Sequence, residues 1–74
     1  MQYQNIGKYI KEKRIKTGIS LNQFALQNEI EPAILSRIEN QKQDIKLNVL
    51  IKIANGFKLQ PSEFLQSFEQ HFKK

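Results

Sequence analysis

Apolar residues recur every three or four positions along this chain, and no other feature of the sequence constrains its fold as much. The most apolar stretch places them at Leu47, Leu50, Ile51, Ala54 and Phe57, which is the period of a helix that is apolar over much of its circumference. No stretch alternates apolar and polar residues long enough to predict a strand. The pattern therefore predicts an all-α fold in which this stretch lies in the core.

Residues that start and stop helices divide the chain into five segments. Gly18 is expected to end the first as a left-handed cap, and Ser20 with Gln23 forms a capping-box pattern at the start of the second. Pro32 suits the first turn of the third helix, because its missing N–H would have no partner there. The predicted helices cover approximately residues 4–17, 20–28, 31–40, 47–57 and 61–72.

The length of 74 residues predicts one small domain that spans the whole chain. Its hydrophobic content of 39% and charged content of 26% are typical of a globular domain and too apolar for a disordered tail. Since the chain has no Cys and one His, disulfides and thiolate zinc sites are excluded, and we expect no cofactor. No apolar run approaches the ~20 residues of a membrane span, and the N-terminus lacks a signal-peptide core, so we expect a cytoplasmic protein with no membrane partner.

The charge balance predicts a polyanionic partner. Lys and Arg total 12 against seven acidic residues, which gives a net charge of +5, and such an excess on a small domain favours DNA, RNA or an anionic membrane surface. The excess is concentrated early in the chain, at Lys8, Lys11, Lys13, Arg14 and Lys16. These cations either bind a polyanion or form the solvated face of a helix.

The second and third predicted helices have the pattern of a helix-turn-helix. A helix of about eight residues, a tight turn at 28–30 and a second helix with an apolar inner face follow one another. Ile30 is the apolar residue of that turn, and Leu35 and Ile38 are spaced for burial. The second helix of such a unit can lie in the DNA major groove with its polar face towards the base edges.

From Ile6 to Leu65 the chain resembles the phage-repressor-like (Xre-type) helix-turn-helix family. The matching residues, in order, are Ile6, Ile10, Arg14, the run Ser20-Leu21-Asn22-Gln23-Phe24-Ala25, Ile30, the run Leu35-Ser36-Arg37-Ile38-Glu39-Asn40, Leu47, Leu50, Ile53, Ala54, Leu59, Phe64 and Leu65. The resemblance implies a five-helix lambda-repressor-like domain with its helix-turn-helix at about residues 20–40. Glu29 and Gln41 depart from the family pattern, because they stand where its members carry Gly at positions that tend to be left-handed.

The resemblance implies a function as well as a fold. Short members of the family include phage repressors, antitoxins and the controller proteins of restriction–modification systems, and this chain is similar to the controller proteins in length and in residues 42–50. A sequence-specific transcriptional regulator that binds a palindromic operator in double-stranded DNA as a homodimer is therefore expected. The alternative is an antitoxin or interaction module whose main partner is a protein, which the apolar start of the third helix favours. An enzyme is not expected, because no Ser has a base at motif spacing and no Gly-rich phosphate loop is present.

The resemblance also assigns residues to the bases. Pro32, Ala33 and Ile34 at the start of the third helix would touch thymine methyl groups or exclude a base by shape, since they offer no side-chain hydrogen bond. Ser36 and Arg37 follow one turn on. Arg37 would form a bidentate contact to a guanine, which is worth about 1–3 kcal/mol of discrimination. Its alternatives are a phosphate contact or a position facing solvent.

Phosphate contacts are implied at two places. The N-terminus of the second helix offers the Ser20 hydroxyl, the Leu21 and Asn22 amides and the Gln23 side chain. The loop after the third helix offers Asn40, Gln41 and Lys42, and Lys16 after the first helix is a further candidate. Such contacts position a protein on DNA and carry no sequence information.

Two further pairs of residues are expected to act away from the DNA surface. The resemblance implies that Arg14 forms an ion pair with Glu39 and ties the first helix to the third, the alternative being two unrelated surface charges. Phe68 and Phe72 extend beyond the apolar core of the family. They either fold back, with Phe72 fraying at the chain end, or form the dimer interface that binding to symmetric half-sites requires.

Overall fold

The computed structural model describes residues 5–72, apart from the side chain of Phe72, and this part of the chain is all helix and connecting turns. The helices are α1 (Ile6–Lys16), α2 (Leu21–Gln27), α3 (Pro32–Glu39), α4 (Leu47–Gly56) and α5 (Pro61–Phe72). The all-α fold expected from the apolar spacing is therefore confirmed. Among these helices, none has the length and apolarity needed to cross a membrane.

Every helix contributes to one apolar core. The largest fully buried side chains are Ile10, Phe24, Leu35, Ile38, Ile53, Phe64 and Phe68. The ring of Phe57 lies between two of them, with its centroid 4.9 Å from that of Phe24 and 6.0 Å from that of Phe64. α1 and α2 both pack on α3, and α4 packs on α5. The Phe57 ring therefore joins the helix-turn-helix to the C-terminal pair of helices.

α1 approaches α3 closely at Gly7, which is buried near the start of α1. A Cβ atom at this position would collide with the carbonyl oxygen of Ile38 in α3. The absence of a side chain therefore lets the α1 backbone lie directly on the last turn of α3. This position was not foreseen, since Gly7 reads as an ordinary interruption of the first helical pattern.

The expectation that Phe68 lies beyond the core and supplies a dimer interface is wrong. Its side chain is 1% exposed, and its ring centroid lies 5.5 Å from that of Tyr9 in α1. Phe64, one turn earlier in α5, contacts the same Tyr9 ring at 5.7 Å. The phenyl ring folds back because α1 extends the core far enough to cover a second turn of α5. The side chain of Phe72, the other residue of that proposal, lies outside the described part of the chain.

The expectation that α4 is buried around most of its circumference is also wrong. Leu50, Ile53 and Ala54 are buried, but Leu47 is 69% exposed and Ile51 is 38% exposed. These two side chains stand one turn apart on the more exposed face of α4. The periodicity identified apolar positions correctly, and the packing of α4 covers only one side of them.

Three helices end in the same backbone motif with a non-glycine residue in the left-handed conformation. Glu29, Gln41 and Lys58 have φ values of 58°, 59° and 61°. In each motif the N–H of the next residue reaches a carbonyl five residues earlier, in the pairs Ile30 to Ala25, Lys42 to Arg37 and Leu59 to Ala54 at 2.8, 2.8 and 2.9 Å. Each such residue costs about 1–2 kcal/mol of strain. The expected left-handed turns at Glu29 and Gln41 are present, and the one at Lys58 was missed.

Candidate nucleic-acid interface

The geometry of the α2–turn–α3 unit comes from its turn. Ile30 is 5% exposed and seals the turn against the core, and the Asn28 side chain donates to the Phe24 carbonyl at 2.8 Å. Glu31 is extended (φ −65°, ψ 129°), and Pro32 begins α3 directly after it. With Leu35 and Ile38 buried, α3 is held by its inner face and its outer face lies at the surface.

The outer face of α3 carries the residues expected to contact bases. Ala33 and Arg37 are exposed, whereas Pro32, Ile34 and Ser36 are half-buried. Ile34 also packs against the core, so only part of its side chain is available to a base. The hydroxyl and carbonyl of Ser36 accept from the Asn40 amide, at 3.4 and 2.9 Å. The longest polar side chain on this face is therefore Arg37.

Arg37 is held by a contact that sequence reasoning missed. Its Nε donates to Oε1 of Gln43 at 2.7 Å. Gln43 lies six residues along the chain, beyond the left-handed turn at Gln41. Nothing in helical spacing relates a helix residue to a loop residue at that separation. The only hint in the sequence was that Gln41 stands at a position that tends to be left-handed in the family. A left-handed residue there turns the chain back over α3.

The N-terminus of α2 presents the first set of predicted phosphate ligands. Ser20 caps the helix, and its hydroxyl accepts from the Gln23 N–H at 3.1 Å. Asn22 and Gln23 are exposed, and Leu21 is half-buried against the core. The Leu21 and Asn22 N–H groups lie in the first turn, where a helix provides no acceptor for them. The backbone here can donate to an anion.

The second set lies at the other end of α3. Asn40, Gln41 and Lys42 are exposed, and the backbone bond from Lys42 to Arg37 fixes their turn. Lys16, the last residue of α1, is exposed too. Apart from the half-buried Leu21, the predicted phosphate ligands at both ends are exposed.

The basic segment in α1 divides into two groups. Arg14 is buried, and the Lys13 Nζ lies 5.5 Å from the Phe57 ring centroid and 5.9 Å from that of Tyr9. Lys8, Lys11 and Lys16 are exposed. Two of the five cations therefore stabilise the fold, and three are available to a polyanion.

The structure brings Arg14 and Glu39 together in a buried, two-pronged ion pair. The Arg14 Nε and Nη2 donate to the two Glu39 carboxylate oxygens at 2.7 and 2.9 Å, and Nη1 donates to the Ile19 carbonyl at 2.8 Å. Hydrogen bonding to Glu39 raises the pKa of Arg14, against the opposing effect of burial, so the guanidinium stays charged. This pair ties α1 to the end of α3, beside the turn that carries Asn40 to Lys42.

A tight turn closed by a buried apolar residue, between two short helices of which the second has a polar outer face, defines a helix-turn-helix domain. The match with known families agrees. A family model described as a helix-turn-helix domain matches residues 7–67. The chain therefore belongs to this family of helix-turn-helix DNA-binding domains. No curated protein and no solved structure matches the sequence.

Proposed function

We propose that this protein is a sequence-specific transcriptional regulator that places α3 in the major groove of duplex DNA. The observation that carries the proposal is the surface of α3, where Arg37 is exposed on a helix whose inner face is fixed in the core. The net charge of +5 supports it, because a basic domain is attracted to DNA before any base is read. The chain's similarity to restriction–modification controller proteins in residues 42–50 makes that subgroup the most specific assignment we favour.

Base readout in this proposal combines one polar and several apolar contacts. Arg37 donates to a guanine, the strongest single base contact in the major groove. Ala33, with the exposed parts of Pro32 and Ile34, packs against thymine methyl groups. The preferred half-site therefore contains a guanine next to one or more thymines.

Affinity comes from the phosphates on either side of α3. In this proposal the N-terminus of α2 binds one phosphate through backbone amides, Ser20 and Gln23, and Lys16 and Lys42 neutralise others. Each neutralised phosphate releases counterions, so binding weakens as salt rises.

We expect the affinity for duplex DNA to fall roughly a thousandfold between about 50 and 200 mM salt, since a dimer makes several phosphate contacts. Fluorescence anisotropy with a labelled duplex measures this. Lys42→Gln should weaken binding to all sequences alike and reduce the salt slope by about 1. Lys58→Gln, with the same charge change in the α4–α5 turn, serves as the control. An affinity that barely responds to salt would contradict the proposal.

We further propose that the protein binds a palindromic operator as a homodimer through the exposed apolar face of α4. Leu47 and Ile51 stand on this face with exposed Asn48 and Asn55 beside them, which is the apolar centre and polar rim of an interface. The face follows directly on the loop after α3. A two-fold axis there would let each copy cover the other and set the two α3 helices about 34 Å apart, one turn of DNA.

The double variant Leu47→Asp with Ile51→Asp is expected to be a folded monomer that binds the operator much more weakly. Both side chains are exposed in the monomer, so the change disturbs association and leaves the core intact. Sedimentation measures the mass, and circular dichroism checks the fold. Ile15→Asp is the control, because Ile15 is 56% exposed on α1 and lies outside the helix-turn-helix. A double variant that still sediments as a dimer would place the two-fold contact on another face.

A protein-binding role, as in an antitoxin, is the second candidate. It is favoured by the apolar start of α3 at Pro32, Ala33 and Ile34 and by the exposed Leu26 on α2. A gel shift against the DNA upstream of the chain's own gene separates the two functions. A specific shift supports the regulator. A tight complex with the product of a neighbouring gene, without a shift, supports the protein-binding role.

A further inference from the structure

We propose that Gln43 is a positioning residue for sequence recognition: it holds the Arg37 guanidinium by Nε and leaves Nη1 and Nη2 to bind a guanine. This inference rests on the proposed function, in which α3 enters the major groove. It assigns the choice of base to a pair of residues, one on α3 and one in the following loop.

The contact uses only one of the three guanidinium nitrogens. The Arg37 Nε donates to the Gln43 Oε1 at 2.7 Å, and Nη1 and Nη2 have no hydrogen bond or ion pair with any described residue. These two nitrogens form the end of the planar fork, which matches the O6 and N7 acceptors of guanine. A partner on Nε therefore orients the group and leaves its bidentate edge available.

The backbone explains why a loop residue reaches this helix. Gln41 is left-handed (φ 59°), its N–H donates to the Ile38 carbonyl at 3.0 Å, and the Lys42 N–H donates to the Arg37 carbonyl at 2.8 Å. These bonds fold the chain back over the last turn of α3. Gln43 comes next and is half-buried, in the wall of a groove of about 480 Å³ that Ile6 also lines. The backbone of Gln43 thus starts from a position that these two bonds define.

A neutral acceptor suits this role better than a carboxylate. A Glu or Asp partner would neutralise the guanidinium and compete with the base for its donors, since Glu39 takes two of the three guanidinium nitrogens of the buried Arg14. The Gln amide accepts one hydrogen bond and leaves the positive charge in place. Holding the arginine before it binds also removes part of the entropy that a free side chain would lose.

The test compares discrimination between a guanine and a substituted base. Binding sites are selected from a random duplex library with the wild type and with Arg37→Ala. The guanine that Arg37 contacts is the position at which the wild type selects a guanine and the variant has no preference. We expect Gln43→Leu, which removes the acceptor at similar size, to lower the affinity ratio of guanine over substituted duplex by about 2- to 10-fold. Affinity for the substituted duplex should not change. Gln66→Leu, at an exposed position of α5, is the control.

Three further measurements separate a positioning role of Gln43 from a structural effect. Gln43→Glu replaces the neutral acceptor with a carboxylate that competes with the base for the guanidinium donors, so it should lower the guanine preference and also weaken binding to every duplex. In an Arg37→Ala background, which has lost the guanine preference, Gln43→Leu should cause no further change in affinity for any duplex. The ¹⁵N signal of the Arg37 Nε in the free protein should show a protected N–H that Gln43→Leu and Gln43→Ala both lose.

Three results would overturn the inference: full guanine preference in Gln43→Leu, a fall in duplex affinity when Gln43→Leu is added to Arg37→Ala, or an unprotected Arg37 Nε in the wild type. The failure of the proposed function is distinguishable from these. A wild type that selects no site contradicts sequence-specific binding itself, whereas a wild-type site that Gln43→Leu retains contradicts only the role of Gln43.

Discussion

Glu39→Ala is expected to lower the free energy of unfolding by about 3–5 kcal/mol, because it leaves the Arg14 charge buried without a partner. Arg14 is 7% exposed and Glu39 4% exposed, and two of the three guanidinium nitrogens bind the carboxylate. A domain of this size has a total stability of roughly 0.05–0.15 kcal/mol per residue. The variant should therefore lose a large part of its stability, and its Tm should fall by more than about 10 °C.

Urea and thermal unfolding followed by circular dichroism measure this loss. Glu12→Ala is the control, since Glu12 lies 3.7 Å from His71 with both side chains more than 40% exposed. A surface pair of this kind contributes at most about 1 kcal/mol. A Glu39→Ala variant that melts within a degree or two of the wild type would show that the pair is exposed in solution.

Gly7→Ala is expected to destabilise the protein by about 3 kcal/mol or more, at or beyond the upper end of the usual cost of overpacking. The added Cβ would collide with the Ile38 carbonyl oxygen, which is backbone and cannot rotate away. α1 would have to move off α3. Because the last turn of α3 leads into Asn40, Gln41 and Lys42, we also expect weaker DNA binding by the fraction that remains folded.

Gly18→Ala is the matched control for this variant. Gly18 is left-handed (φ 76°), and a Cβ there would have open space around it. That substitution measures backbone strain without a collision and should cost about 1–2 kcal/mol. Thermal unfolding of the two variants, followed by circular dichroism, compares their losses of stability. If Gly7→Ala loses less stability than Gly18→Ala, the backbones of α1 and α3 are not in contact at Gly7.

Part of the candidate site follows from local spacing. The spacing places Ala33, Arg37 and Asn40 on one face of α3, and the structure exposes all three. It places Leu35 and Ile38 on the other face, and both are buried. Other parts needed more than spacing. Arg14 and Glu39 are 25 residues apart, and only the family resemblance paired them. Gln43 was not proposed at all, because its contact with Arg37 depends on the path of a loop.

The sequence by itself determined the five helices, their approximate ends and the turn that joins α2 to α3, because helix period, capping residues and turn residues act over a few positions. The left-handed turn at Lys58 is the exception. Only the tertiary structure decided which apolar side chains are covered. Phe68 is buried by Tyr9, whereas Leu47 is left at the surface. The physical reason is that helical spacing sets the angular position of a side chain on its own helix, while burial depends on which neighbouring helix crosses that face and how closely, as at Gly7.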